Sequence, residues 1–275
     1  MYSTENSASA IDMAQAVNAV SRRATKSRVN AAGLEWSVLE LGQGDTTLVL
    51  LPGALGTVEI FSQQVLRFSG HARVVVLGYP GSADKARMTE SFYVLLQMLR
   101  IEKAHFVGSS LGAYWLQVFT HERTDMVQSL VLGNTFVDAE PLQANPLFAR
   151  RFLEQGSAAQ VKQAWLDFVE GLPASELRSL QLAHVGPHQP AEELHGRIAT
   201  VANAGRTPLS SVASDKITLL TCDDDAITHG AMGEALSAAY PAVRHERLPR
   251  GGHYPHVNNP GAYNAVIASA CQLPG

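Results

Sequence analysis

The chain has 275 residues, enough for one large α/β domain or two small ones. Hydrophobic residues make up 46%, ample for a sizeable core; charged residues make up 17%, below the roughly 25% usual for soluble domains, which favours an oligomer or a cap-covered pocket. A net charge of −4 gives no electrostatic footprint for nucleic acid or an anionic membrane, so neither is expected as a partner.

The first residues, MYSTENSASAIDMAQ, lack a basic start followed by an apolar run and are not a secretory signal. Arg22, Arg23, Lys26 and Arg28 form a small basic cluster, but Glu5 and Asp12 argue against an organelle transit peptide. A cytoplasmic location follows by default. Ile11, Ala14 and Val17, three apart, predict a short helix, and residues 1–30 read as a partly disordered N-terminal extension. No stretch reaches about 18 uninterrupted apolar residues, so no transmembrane helix is expected.

From Leu34 onward, short apolar runs alternate with helix-length segments. The clearest runs are Thr47–Leu51, Arg73–Leu77, Ala104–Val107, Leu130–Leu132 and Ile217–Leu220. Val/Leu runs without polar alternation suit strands covered on both faces, as in parallel sheets. Glu90–Arg100 and Tyr114–Thr120 read as crossover helices, which together predict a doubly wound α/β core over 31–137 and 208–275. Residues 138–207 break the alternation. Helical patches at Pro146–Gln155, Ala158–Gly171, Ala174–His184 and Pro190–Asn203, with no strand between them, predict a helical cap inserted between two sheet strands. After it come a helix over His229–Tyr240, a strand over Val243–Leu248 and a closing helix after Pro260.

The pentapeptide Gly108-Ser109-Ser110-Leu111-Gly112 lies between a predicted buried strand and a predicted helix. A hydroxyl is a weak nucleophile unless it is exposed, aimed and paired with a base. A sharp strand-to-helix turn exposes and aims it, at the cost of backbone strain at the serine. Gly108 and Gly112, two residues either side, leave room for strand and helix to approach. Ser110 is therefore the expected nucleophile; Ser109 competes but lacks symmetric glycines. The Leu111 N–H, at the helix N-terminus, is one expected oxyanion donor.

This strand-elbow-helix unit resembles that of the α/β-hydrolase superfamily, and the likeness extends over about residues 34–275. The resemblance implies an α/β-hydrolase fold, a mostly parallel central sheet flanked by helices. Leu51-Pro52-Gly53-Ala54-Leu55-Gly56 is similar to the family's oxyanion loop, with Pro52 where a histidine is usual; Ala54 would supply the second backbone donor. The family order of Ser, acid and His implies a base late in the chain. Gly251-Gly252-His253, followed by Pro260, resembles the family's closing Gly-His loop, so His253 is the implied base and His256 its nearest rival. The implied acid falls in Asp223-Asp224-Asp225, where the spacing to Thr228 points to Asp225. Asp224 stays open as the alternative acid, with Asp223 a weaker one; surplus aspartates could cap the following helix.

A narrower resemblance concerns Leu55-Gly56-Thr57, Phe61 with Gln64, Val76 with Tyr79-Pro80, and Asn134-Thr135-Phe136-Val137-Asp138, which are similar to segments of the maspardin-like branch. That branch is noted for binding partner proteins with doubtful catalysis, yet the Gly-His loop, in which maspardin-like proteins can lack the histidine, is intact here. The implied function is hydrolysis of a carboxylic ester or related small-molecule acyl substrate. Diketone C–C hydrolysis, peroxidation and thioester cleavage share the same triad, and a non-catalytic binding protein is the alternative. A homo-oligomer or a protein partner stays open. No cofactor is expected, since no strand is followed by G-x-G-x-x-G. No metal is expected either: Cys222 and Cys271 lack zinc-site spacing and read as two buried thiols. Leu147, Phe148, Phe152, Trp165 and Phe168 are candidate pocket lining.

Overall fold

The computed structural model describes residues 12–55, 57–82, 84–228 and 230–274. Ile11, Gly56 and His229, which figured in the sequence reading, lie outside them. Eight strands form one sheet: β1 (Thr25–Ala31), β2 (Leu34–Leu41), β3 (Thr47–Leu51), β4 (Arg73–Gly78), β5 (Ala104–Ser109), β6 (Val127–Gly133), β7 (Ile217–Cys222) and β8 (Arg244–Leu248). Their spatial order is β1-β2-β4-β3-β5-β6-β7-β8. The six strands from β4 to β8 run parallel, and the β1–β2 hairpin joins β4 antiparallel.

The helices are α1 (Met13–Arg23), α2 (Ser62–Phe68), α3 (Lys85–Met98), α4 (Leu111–Glu122), α5 (Arg150–Gln155), α6 (Ala158–Glu170), α7 (Glu176–His188), α8 (Ala191–Ala202), α9 (Ala231–Ala239), α10 (Pro255–Asn258) and α11 (Pro260–Cys271). The central strands are almost wholly buried, as the uniform apolar runs require: all five positions of β3 are buried, and β4 leaves only Arg73 half-buried. Alternate side chains serve opposite cores. Val49, Leu51, Val75 and Leu77 join the core that holds α3 and α4 residues. Leu48, Leu50, Val74 and Val76 join the core that holds α1, α2 and α11 residues.

The N-terminal extension is the main correction to the sequence reading. The expected boundary after residue 30 cuts through β1, whose seven residues all pair with β2. Helix α1 buries Met13, Ala16 and Val20 and packs against α2 and α7. Residues 12–31 therefore belong to the sheet and its packing. β1 carries no hydrophobic signature because Thr25-Lys26-Ser27-Arg28 is an exposed, polar edge, a composition that also discourages edge-to-edge aggregation.

Between β6 and β7 the chain forms α5 to α8 and short 3₁₀ turns, without a strand. The two ends of this segment are joined by backbone hydrogen bonds, Ala139 to Ala204 at 2.9 Å and Thr207 to Val137 at 3.0 Å. α8 lies directly on the loop after β4. A Cβ at Gly196 would sit 2.6 Å from the Gly81 carbonyl, so the two backbones touch, and the Thr200 hydroxyl donates to the Ser82 carbonyl at 3.0 Å. Cys222 and Cys271 are both free and buried. Among the described residues, no helix is long and apolar enough to cross a membrane.

Candidate active site

Ser110 stands between β5 and α4 with φ +52° and ψ −119°, a conformation that L-residues rarely adopt. The strain is held by long-range bonds. Its N–H donates to the Gly133 carbonyl at 2.8 Å, and its carbonyl accepts from the Thr135 hydroxyl at 2.9 Å. The flanking glycines are sterically required. A Cβ at Gly108 would lie 2.5 Å from the Ala113 backbone, and one at Gly112 would lie 2.3 Å from the Leu51 carbonyl.

The three aspartates have separate tasks. Asp223 pairs with Arg247 at 2.7 Å on the surface. Asp224 accepts from the Gly251 and Gly252 amides at 3.2 and 2.7 Å. Asp225, only 2% exposed, faces His253 Nδ1 with its carboxylate oxygens at 3.1 and 2.9 Å. It also accepts from the Ile227 and Thr228 amides and the Thr228 hydroxyl. Burial alone would raise the pKa of Asp225. The charge and hydrogen bond of His253, with those from Thr228 and Ile227, win and hold it down to about 2.

His253 sits after Gly251 and Gly252, whose φ values of +149° and +56° lie in the left-handed half of the map. The turn is clamped by Asp224, by Asn134, which donates to the Gly252 carbonyl at 2.7 Å, and by Asn258, which donates to the Gly251 carbonyl at 3.1 Å. With Nδ1 held by Asp225, Nε2 is left for the cavity.

The rival His256 is 1% exposed and lies in an aromatic box, with ring centroids 4.8 Å from Phe61 and 5.5 Å from Tyr263. Neither ring nitrogen has a hydrogen-bond partner among the described residues. Burial, aided by the charge of His253, pushes its pKa down to about 3, so the ring is a neutral packing element.

Ser110 and His253 line one small cavity of about 20 Å³ together with Ala54, Phe148, Trp165 and Ile227. Of the candidate lining residues, Phe148 and Trp165 thus reach the cavity. Leu147 and Phe152 pack partly buried against the core, and Phe168 is 47% exposed on the outer face of α6. The amides of Ala54 and Leu111 donate to no group among the described residues. Gly53 abuts the elbow: a Cβ there would be 3.2 Å from Ser110 Cβ. No cluster of three or more metal-ligating side chains occurs among the described residues.

This arrangement lies on the scaffold of a known class. Residues 48–266 match the model of the alpha/beta hydrolase family, and the chain belongs to that family. Within it, the sequence is similar to maspardin. It is 28% identical to maspardin of Danio rerio over 260 residues, covering 84% of this chain and 76% of that protein. Solved structures agree on the fold. The enol-lactonase from Burkholderia xenovorans LB400 superposes with a TM-score of 0.74 at 18% identity, covering 90% of this chain and all (100%) of that one. A thermophilic esterase from Thermogutta terrifontis gives 0.69 at 18% identity, covering 90% of this chain and 98% of that one.

Proposed function

We propose that the protein is a serine hydrolase that cleaves a carboxylic ester, or a related acyl compound, through Ser110, His253 and Asp225. The observation that carries this reading is the shared cavity of Ser110 and His253, with Asp225 bonded to the far side of the imidazole. In the proposed cycle, Ser110 Oγ attacks the acyl carbon while His253 Nε2 takes its proton. The Ala54 and Leu111 amides, which donate to no other acceptor among the described residues, stabilise the oxyanion. The tetrahedral intermediate then expels the alcohol, which leaves with the proton from His253. Water, deprotonated by the same nitrogen, next attacks the acyl-enzyme and releases the acid. Asp225 keeps the imidazole in the tautomer with hydrogen on Nδ1 and stabilises its charged form.

The cavity lining supports an uncharged, apolar acyl group. Leu142, Phe148, Trp165, Val201 and Ile227 surround the serine, and among the described residues that line the cavity there is no Arg or Lys to hold an anionic substrate. A fluorophosphonate probe tests the proposal: wild type is expected to label, and Ser110→Ala is not. Absence of labelling by folded wild type at neutral pH would overturn the hydrolase reading in favour of a binding protein on the same fold.

A further inference from the structure

The turn at Gly53–Leu55 is held from behind by a tyrosine and by an arginine from the inserted helices. The Tyr79 hydroxyl lies 2.6 Å from the Pro52 carbonyl and 3.0 Å from the Gly53 carbonyl. Arg197, on α8, donates through Nε to the Ala54 carbonyl at 2.7 Å and through Nη1 to the Tyr79 carbonyl at 3.0 Å. Its Nη2 reaches Gln189 Oε1 at 2.5 Å, and Gln189 in turn donates to the Leu55 carbonyl. The carbonyls of residues 52–55 thus all point into one polar cluster.

In a trans peptide the C=O and N–H lie in one plane and point opposite ways. No cis peptide occurs among the described residues. The Gly53 carbonyl shares its plane with the Ala54 N–H, and the Ala54 carbonyl shares its plane with the Leu55 N–H. A bond that pulls these carbonyls away from the cavity therefore turns the amides toward it. We propose that Tyr79 and Arg197 are positioning residues that aim the Ala54 amide at the Ser110 oxyanion, Tyr79 by orienting its peptide and Arg197 by locking the next peptide and the Tyr79 backbone. The proposal rests on the hydrolase reading for its catalytic consequence, but not for the loop geometry.

Arg197 is 2% exposed, and its one carboxylate partner among the described residues, Glu193, lies 3.6 Å away and is partly exposed. Burial pulls its pKa below the usual arginine value, against the raising effects of Tyr79 and Glu193. A buried guanidinium is costly unless its donors are met, and a fixed planar fork meets several divergent carbonyls as no ammonium can. Anchoring α8 does not account for it alone, because Gly196 against Gly81 and Thr200 on Ser82 already seat that helix. Nor does Tyr79 need its hydroxyl to pack, since its ring lies tilted against Trp36, centroids 6.3 Å apart, within the core.

The test uses Tyr79→Phe, Arg197→Lys, Arg197→Met and a control, Thr200→Val, each measured two ways. Hydrolysis of p-nitrophenyl acetate is expected to show kcat about 10- to 100-fold lower in Tyr79→Phe and Arg197→Met, with KM within about threefold, as for the partial loss of an oxyanion donor. Amide hydrogen exchange at Ala54 and Leu55 is expected to quicken about tenfold or more in both, with global exchange little changed. Arg197→Lys, with a point donor in place of the fork, should fall between wild type and Arg197→Met on both measures. Thr200→Val should lower the melting temperature and leave both the kcat and the exchange of residues 54–55 near wild type. Unchanged exchange at these amides in Tyr79→Phe and Arg197→Met, or unchanged kcat in an active wild-type background, overturns the proposal. A wild type that never labels or hydrolyses would sink the hydrolase reading, while the exchange measurement would still decide whether the clamp holds the turn.

Discussion

The Asp224 carboxylate accepts the Gly252 amide at 2.7 Å, and this bond, next to the Asp225–His253 pair, divides two adjacent aspartates into two jobs. Asp224 shapes the loop that carries the imidazole, and Asp225 touches the imidazole itself. On the proposed mechanism, Asp225→Asn should cost about 10⁴-fold in kcat, because the amide favours the wrong tautomer of His253. Asp224→Ala should cost roughly tenfold in kcat through a looser Gly251–Gly252 turn, and should lower the melting temperature as well. Asp223→Asn should stay within about twofold of wild type, since its pair with Arg247 is exposed. Ester hydrolysis by the three purified variants orders them, and a larger loss in Asp224→Ala than in Asp225→Asn would exchange their roles.

A cavity of about 20 Å³ has room for roughly one water, so the described conformation is closed over Ser110. On the proposed mechanism a substrate must displace lining side chains, and Phe148 and Trp165 come from the inserted segment, with rings 5.9 Å apart. Trp165→Ala removes the largest of them. The optimum should move toward longer acyl chains, with each methylene that enters the new space worth about 0.8 kcal/mol, roughly fourfold in kcat/KM. A p-nitrophenyl ester series from acetate to octanoate measures this. An unchanged chain-length profile would mean that the acyl group lies elsewhere.

The legible parts of this molecule are those whose physics is local in sequence. The buried strands β3 to β7 announce themselves as apolar runs because both faces of a parallel sheet are covered. The elbow could be placed because its glycines, strand and helix all fall within about twenty residues. Asp225 could be preferred over Asp224 only through a spacing to Thr228, and its bonds to the Thr228 amide and hydroxyl give that spacing its reason. The rest was hidden by distance along the chain. Asp224 meets its loop 28 positions later, and Arg197 meets Ala54 across 143 positions. β1 was hidden for the opposite reason: an edge strand needs no apolar face, so Lys26 and Arg28 read as a basic cluster rather than as strand.

His256 predicts a pH effect on stability whose sign follows from its burial. The native state holds its pKa near 3, against 6.5 for an unperturbed histidine. As pH falls below about 6.5, the unfolded chain takes up a proton that the native state refuses, so this residue destabilises the fold progressively from pH 6.5 toward pH 3. The limiting slope is about 1.4 kcal/mol per pH unit. Asp225 acts in a separate window: its lowered pKa adds stability that is complete above about pH 4 and is lost as pH falls toward 2. Between pH 6 and 4.5, the difference in urea stability between wild type and His256→Phe should therefore change by about 2 kcal/mol in favour of the variant as the acid is added. A flat difference curve would show that the ring protonates in place.

The elbow makes the sharpest stability prediction, because it reverses an ordinary preference. In relaxed backbone, alanine is more stable than glycine by about 0.4–1 kcal/mol, chiefly through the unfolded state. At Ser110, φ is +52° and ψ −119°, where a Cβ is strained and glycine is not. Ser110→Ala keeps the strain, whereas Ser110→Gly releases it; both remove the nucleophile, so neither result depends on catalysis. Ser110→Gly should therefore be the more stable of the two by about 1 kcal/mol in urea unfolding. The flanking glycine should behave in the opposite way. A Cβ at Gly112 would press on the Leu51 and Pro52 carbonyls at 2.3 and 2.5 Å, backbone atoms that cannot rotate aside. Gly112→Ala should thus lose about 3 kcal/mol or more, and with it the approach of α4 to the end of β3 that places Ser110 beside the Gly53–Leu55 turn. If Ser110→Ala proved the more stable serine variant while Gly112→Ala was tolerated, the backbone would not be held in this turn, and Ser110 would lose the placement in the cavity that its proposed nucleophilic role requires.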